Sequence, residues 1–205
     1  MASLTFRRLT FRRVSWARFI SDVLSPPVIW GFLAFPIAFR EADSPEQALV
    51  WALTYCLMVC VLPAAFIGLM VWRGHITDMH MEVRQERIRP FLVSLIGTGI
   101  AWGMLRLMGA PPLLPMFAVV SFILLTTMLI VTTVWQISMH SMSITCAVVA
   151  TGALYGVVPA LLVSPLIPVV GVARIKLRRH TLAEVVAGGF VGGFVTMLVL
   201  FFLNP

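Results

Sequence analysis

Long apolar runs with few charges recur along this sequence and limit what it can fold into. A membrane-spanning helix needs about 20 mostly apolar residues, because the hydrocarbon core of a bilayer is about 30 Å thick. Runs of that kind cover about 19–39, 48–72, 90–108, 113–135, 138–154, 156–172 and 182–203. The 205 residues therefore predict an all-α integral membrane helical bundle with six or seven transmembrane segments.

The charge content excludes a soluble enzyme. Only 11% of the residues are charged, whereas soluble domains carry about 25%. We expect residues 1–20 to form a basic-aromatic interfacial segment and residues 21–205 to form a single transmembrane domain. In the first segment, Thr5-Phe6-Arg7-Arg8 is echoed by Thr10-Phe11-Arg12-Arg13, a pattern that suits lipid headgroups. A disordered basic tail is the alternative, and no cleavage site of a signal peptide is visible.

The basic residues predict the orientation in the membrane. If every apolar run crosses, the N-terminus and the loops 73–89, 136–140 and 173–181 lie on one side. That side holds all of the 15 Lys and Arg residues except Arg40 and Arg106. The positive-inside rule makes it cytoplasmic, and the cell (inner) membrane is the expected location. Nucleic acid is not an expected partner, because no long basic tract exists beyond the first 18 residues.

Three blocks of polar residues fall on that same side, at 78–90, 135–141 and 174–184. Ionisable groups at a membrane edge are costly unless they are paired or functional. In the third block, Arg174 precedes His180 by six positions, and Glu184 follows four positions later. His180 and Glu184 then share a helix face. The carboxylate can hold one imidazole nitrogen and leave the other nucleophilic.

Two further features of the blocks suit an anion. The Arg174 guanidinium offers a planar fork of donors that matches phosphate oxygens. Ser138 and His140 open a helix, where free backbone N–H groups favour negative charge. The three blocks together predict one anion site. Cys56, Cys60 and Cys146 show no metal-ligand spacing. His75, Asp78 and His80 suggest a metal site as an alternative, but residues five positions apart do not share a helical face,. We therefore expect no metal and no cofactor.

The three blocks resemble the motifs of the type 2 phosphatidic acid phosphatases, relatives of the vanadium haloperoxidases. That family carries Lys-x6-Arg-Pro, then Pro-Ser-Gly-His, then Ser-Arg-x5-His-x3-Asp. This chain has Arg89-Pro90, then Ser138 and His140, then Arg174, His180 and Glu184. The spacing within the second and third blocks matches residue for residue, and the resemblance covers roughly residues 73–190.

The resemblance implies a role for each site residue. His180 would attack phosphorus and form a phosphohistidine, oriented by Glu184. His140 would protonate the leaving oxygen and then activate water. The phosphoryl oxygens would be held by Arg84, Arg89, Arg174 and the backbone near Ser138. The reaction would be a metal-independent hydrolysis of a phosphoric monoester or diphosphate.

The chain also departs from the family pattern. The first motif's lysine falls on Glu82, which would repel phosphate, and Arg84 lies two residues later as a replacement cation. Ile137, Met139 and Ala173 replace the proline, glycine and serine of the other motifs. Each residue also has a plainer interpretation. His180 and Glu184 would then form a structural pair, His140 would lie at the interface, and Arg89 would extend to the headgroups.

Two classes of function follow from these observations. The first is an integral membrane phosphatase acting on a lipid or isoprenoid phosphate or diphosphate, with the bilayer as its other partner. The second is a catalytically inactive phosphatase-like membrane protein, retained as a structural or lipid-binding subunit. A transporter is less favoured, because nearly every ionisable residue lies at the end of an apolar run.

Overall fold

A computed structural model describes residues 15–78 and 83–203 of this chain, and there the protein is an all-helical bundle. Within residues 15–78 and 83–203, five helical stretches are long and apolar enough to cross a bilayer, or six if a bent helix pair is one span. They are Pro45–Trp72, Arg84–Leu107, Leu113–Thr132, Val157–Lys176 and Leu182–Phe202, with the bent pair Trp16–Val23 and Pro26–Glu41. The predicted all-α membrane bundle is confirmed.

Helix boundaries follow the local sequence. The order is α1 (Trp16–Val23), α2 (Pro26–Glu41), α3 (Pro45–Tyr55), α4 (Leu62–Trp72), α5 (Ile88–Leu107), α6 (Leu113–Thr132), α7 (Met139–Tyr155), α8 (Val157–Val163), α9 (Leu166–Lys176) and α10 (Leu182–Leu203). A π-helical turn, Cys56–Val61, joins α3 to α4, and a 3-10 turn, Arg84–Arg87, leads into α5. Proline lacks the backbone N–H of a regular helix, and Pro63 follows the π-helical turn at the start of α4.

The first apolar run divides into α1 and α2, which meet at a bend of 47°. Pro26 and Pro27 start α2, because proline is disfavoured inside a helix but suits its first turn,. Pro36 lies inside α2 without ending it. Residues 1–14 of the predicted basic-aromatic segment lie outside the described residues, so its interfacial placement stays a prediction.

An aromatic cluster ties α2, α3 and α6 together in the core. Phe117 stacks between Trp30 and Tyr55, with ring centroids 5.5 and 5.4 Å apart. The Tyr55 hydroxyl lies 2.6 Å from Ser121 Oγ, and Trp30 Nε1 donates to Ser143 Oγ at 2.8 Å. These pairs satisfy polar atoms that would otherwise be costly away from water. The α6 helix is the most buried of the long helices.

Two glycines bring α10 into backbone contact with α7. A Cβ atom on Gly188 would clash with the carbonyl oxygen of Ser138, and one on Gly192 would clash with that of Met142. The two glycines are four residues apart and so lie on one helix face. Beside them, the Ser138 N–H donates to the Glu184 carbonyl oxygen at 3.0 Å. The close approach therefore joins the beginnings of α7 and α10.

Replacing Gly188 with alanine should separate these helix ends. We expect Gly188→Ala to lower the midpoint of thermal unfolding in detergent, because its Cβ meets backbone atoms that cannot rotate away. Gly99→Ala is the matched control, since a Cβ at Gly99 meets nothing within 4 Å and alanine favours a helix by about 1 kcal/mol. Equal midpoints for the two variants would contradict the proposed contact.

Candidate active site

The three polar blocks meet in one cavity of about 420 Å³. Arg87 comes from the first block, His140 from the second, and Arg174 and His180 from the third, and all four line this cavity. Each of the four is buried. Residues from three separate parts of the sequence thus form one basic, histidine-containing site.

The rest of the cavity wall is mostly apolar. Trp30 of α2, Ile67 of α4, Phe91 of α5 and Leu125 of α6 contribute to it, as does Val59 in the π-helical turn. Asp22 of α1, which is an exposed residue, adds one carboxylate to the cavity wall. A molecule that fills this cavity therefore meets two arginines and two histidines as well as a largely apolar wall.

The imidazole of His180 is held at one nitrogen by two acceptors. His180 Nδ1 lies 3.2 Å from the Gln136 carbonyl oxygen and 3.2 Å from Glu184 Oε2. A backbone carbonyl can only accept, so Nδ1 carries the hydrogen. In the neutral ring, Nε2 then keeps its lone pair. This is the tautomer that a nucleophilic histidine needs.

Glu184 also forms the start of α10. Its Oε2 accepts the Thr181 N–H at 2.9 Å, while Thr181 Oγ1 accepts the Glu184 N–H at 3.3 Å. This reciprocal pair is a capping box, in which two otherwise unpaired helix N–H groups are satisfied. The carboxylate that contacts His180 is therefore already fixed by the helix start.

His180 stays neutral well below the pH at which imidazoles usually gain a proton. Burial lowers its pKa most, and the positive charges of Arg174 and Arg87 lower it further. The Glu184 carboxylate opposes this shift but does not cancel it. Desolvation and nearby cations both disfavour the imidazolium form, so the pKa of His180 lies well below its ordinary value.

Arg174, in the last turn of α9, is buried and incompletely paired. Its Nη1 donates to Ser21 Oγ at 2.6 Å. Its Nε has no hydrogen-bond partner among the described residues. An unsatisfied buried guanidinium N–H is costly, and an anion in the cavity would satisfy it.

His140, in the first turn of α7, also contacts α1. Its Nε2 lies 3.1 Å from the Ser21 carbonyl oxygen and 3.4 Å from Ser21 Oγ. The carbonyl can only accept, so Nε2 carries a hydrogen here. That hydrogen is donated to the Ser21 carbonyl oxygen, so Nδ1 is the nitrogen at which the His140 ring can gain a proton.

Ser138 does not line the cavity, although the sequence predicted its backbone as a phosphate donor. Its N–H is bonded to the Glu184 carbonyl oxygen, and its Oγ accepts the Ser141 N–H at 3.3 Å. Ser138 therefore acts as the N-cap of α7. Both of its groups are engaged in holding helix ends together.

The first block supplies Arg87, whereas the sequence pointed to Arg84 and Arg89. Arg89 is exposed and Arg84 half-buried, and neither lines the cavity. The signal for Arg87 was helical spacing, since Phe91 and Ser94 follow it by four and seven residues and share its face,. Glu82 and His80 lie outside the described residues, so the effect of Glu82 stays a prediction.

An ion pair connects the first polar block to the third. Asp78 Oδ2 lies 3.5 Å from Arg179 Nη1, which joins the loop after α4 to the turn before α10. Glu86 Oε2 accepts from the Thr77 N–H at 3.0 Å and from its hydroxyl at 2.9 Å. These contacts connect the loop after α4 to the third block and to the 3-10 turn that carries Arg87.

Comparison with known protein families, with curated proteins and with solved structures finds no match to this chain. The fold and the site define its class: an integral membrane helical bundle with a cavity lined by two buried arginines and two buried histidines.

The charge state of His180 can be measured directly. In detergent-solubilised protein with ¹⁵N-labelled histidine, we expect His180 to remain a neutral Nδ1–H tautomer as the pH falls through about 6.5, the usual imidazole pKa. Glu184→Gln should lower the pKa of His180 further, because it removes the one charge that favours imidazolium. A His180 pKa at or above 6.5 would contradict this geometry.

Proposed function

We propose that this protein is an integral membrane phosphatase that hydrolyses a lipid or isoprenoid phosphate or diphosphate through a phosphohistidine on His180. The observation that carries the proposal is a histidine with a free nucleophilic nitrogen beside a second histidine in one cavity. His180 is held at Nδ1 by Gln136 and Glu184, so Nε2 keeps its lone pair, and His140 lines the same cavity. Two buried arginines accompany them.

In the first step, His180 Nε2 attacks the phosphorus atom of the substrate. A nitrogen–phosphorus bond forms and the bond from phosphorus to the leaving oxygen breaks, which is the lipid oxygen of a monophosphate or the bridging oxygen of a diphosphate. His140, protonated at both ring nitrogens, gives the Nδ1 proton to that oxygen, so the lipid leaves as an alcohol or a monophosphate. The Glu184 carboxylate stabilises the positive charge that develops on the His180 ring.

In the second step, water attacks the same phosphorus atom. His140 takes a proton from the water, the nitrogen–phosphorus bond breaks and phosphate leaves. Arg87 and Arg174 hold the phosphoryl oxygens as negative charge builds up in each transition state. Arg87 thereby takes the role that the sequence assigned to Arg84 and Arg89.

The apolar wall supports a lipid substrate. The apolar lining residues of the cavity include Trp30, Val59, Ile67, Phe91 and Leu125. A water-soluble phosphate ester would leave this surface without a partner, whereas a hydrocarbon chain would cover it.

Phosphate release from purified protein tests the proposal. We expect turnover on at least one member of a panel of diacylglycerol and isoprenoid phosphates and diphosphates, with inhibition by vanadate. His180→Ala should abolish turnover, because it removes the Nε2 atom that attacks phosphorus in the proposed mechanism. His75→Ala is the matched control, since His75 is exposed and does not line the cavity.

The arginines supply a second comparison in the same assay. Arg87→Gln should lose most of the activity, whereas Arg89→Gln should keep it, because only Arg87 lines the cavity. A protein that binds vanadate but turns over none of the panel would favour the catalytically inactive, lipid-binding alternative. Full activity of His180→Ala would overturn the mechanism.

We also propose that the site faces the cytoplasm of the cell (inner) membrane. Single cysteines replacing Asp43 and His75, which are both exposed, should label differently from outside intact cells. In intact cells, Asp43→Cys should react with a membrane-impermeant maleimide and His75→Cys should not, because basic loops stay inside. The protein with only its native cysteines gives the background labelling. External labelling of His75→Cys would contradict the proposed orientation.

A further inference from the structure

The short helix α1 turns its apolar side away from the protein. Trp16, Phe19 and Val23 follow one another at helical spacing, and all three are exposed. Ala17 and Ser21, on the other side, are buried. A helix of a soluble protein has the reverse arrangement. The arrangement suits a helix that faces lipid outside and a polar site inside.

Ser21 is the residue through which α1 reaches the site. Its hydroxyl accepts a hydrogen bond from Arg174 Nη1 at 2.6 Å, and its carbonyl oxygen lies 3.1 Å from His140 Nε2. Ser21 thus contacts Arg174 and His140, which are two of the four basic side chains that line the cavity. A cation–π contact between Lys176 and the Trp16 ring, 4.8 Å from its centroid, holds α1 against α9.

The Ser21 hydroxyl contacts the Arg174 guanidinium at a nitrogen that is not needed for side-on binding of an anion. Nη1 is the nitrogen on the same side as the arginine stem, whereas Nε–H and Nη2 together form the side-on fork that binds two oxygens of one anion. Ser21 occupies Nη1, and Nε has no partner among the described residues. The serine therefore fixes the guanidinium without covering the fork.

We propose that Ser21 is a positioning residue, supplied by the lipid-facing helix α1, that orients Arg174 for bidentate binding of a phosphoryl group. The inference rests on the proposed function, since it assigns the anion to the same site. Without the hydroxyl, the buried Nη1 would lose its acceptor. The guanidinium would then turn away from the anion, although the backbone contact to His140 would remain.

Binding of inorganic vanadate to the full chain in lipid nanodiscs tests the inference, because it needs no turnover. We expect Ser21→Ala to weaken vanadate binding by about tenfold, in line with the loss of one hydrogen bond to a charged group. Ser21→Thr should restore binding, since it returns the hydroxyl. Ser25→Ala is the matched control: Ser25 lines the same cavity and its side chain forms no cap hydrogen bond.

The outcomes separate this inference from the proposed function. Vanadate affinity of Ser21→Ala equal to that of the unchanged protein would overturn the role of Ser21 alone. Equal weakening in Ser21→Thr and Ser21→Ala would do the same, because a general disturbance of α1 would then explain both. Absence of vanadate binding to the unchanged protein would overturn the role of Ser21 and the anion site together.

Discussion

The backbone contact between α7 and α10 is the constraint on which the site depends. Gly188 and Gly192 allow it, and the hydrogen bond from the Ser138 N–H to the Glu184 carbonyl closes its end. In a bilayer, such contacts replace the hydrophobic driving force that packs helices in water. His140 lies in the first turn of α7 and His180 just before α10, so the glycines bring the two histidines into one cavity.

The electrostatic character of the site follows from burial. Arg87 and Arg174 bring two positive charges into a region of low dielectric, where uncompensated charge is expensive. Burial lowers the pKa of His180 most, and the same two charges lower it further. An entering anion would relieve the repulsion between the arginines and would meet an imidazole with a lone pair on Nε2. In the proposed mechanism, anion binding and the neutral nucleophile therefore both depend on the two buried arginines.

Much of the fold, and part of the site, can be predicted from the sequence. Apolar runs of membrane length predicted the long apolar helices that the structure contains. Helical spacing predicted the contact between His180 and Glu184, which the structure also contains. The arginine of the first block was predicted differently, because motif position favoured Arg84 and Arg89, whereas Arg87, at the end of the 3-10 turn, lines the cavity. Ser21 carries no local signal, since its contacts to Arg174 and His140 join residues more than a hundred positions apart.

Glu184 has two structural roles, and this affects how sequence variation at its position among related chains should be interpreted. Its carboxylate closes the capping box with Thr181 as well as contacting His180. Selection for a correctly started α10 would keep Glu or Gln at this position even in a lineage that had lost the proposed activity. His180 forms no such cap, so its loss or retention is the better record of whether a related chain keeps the proposed activity.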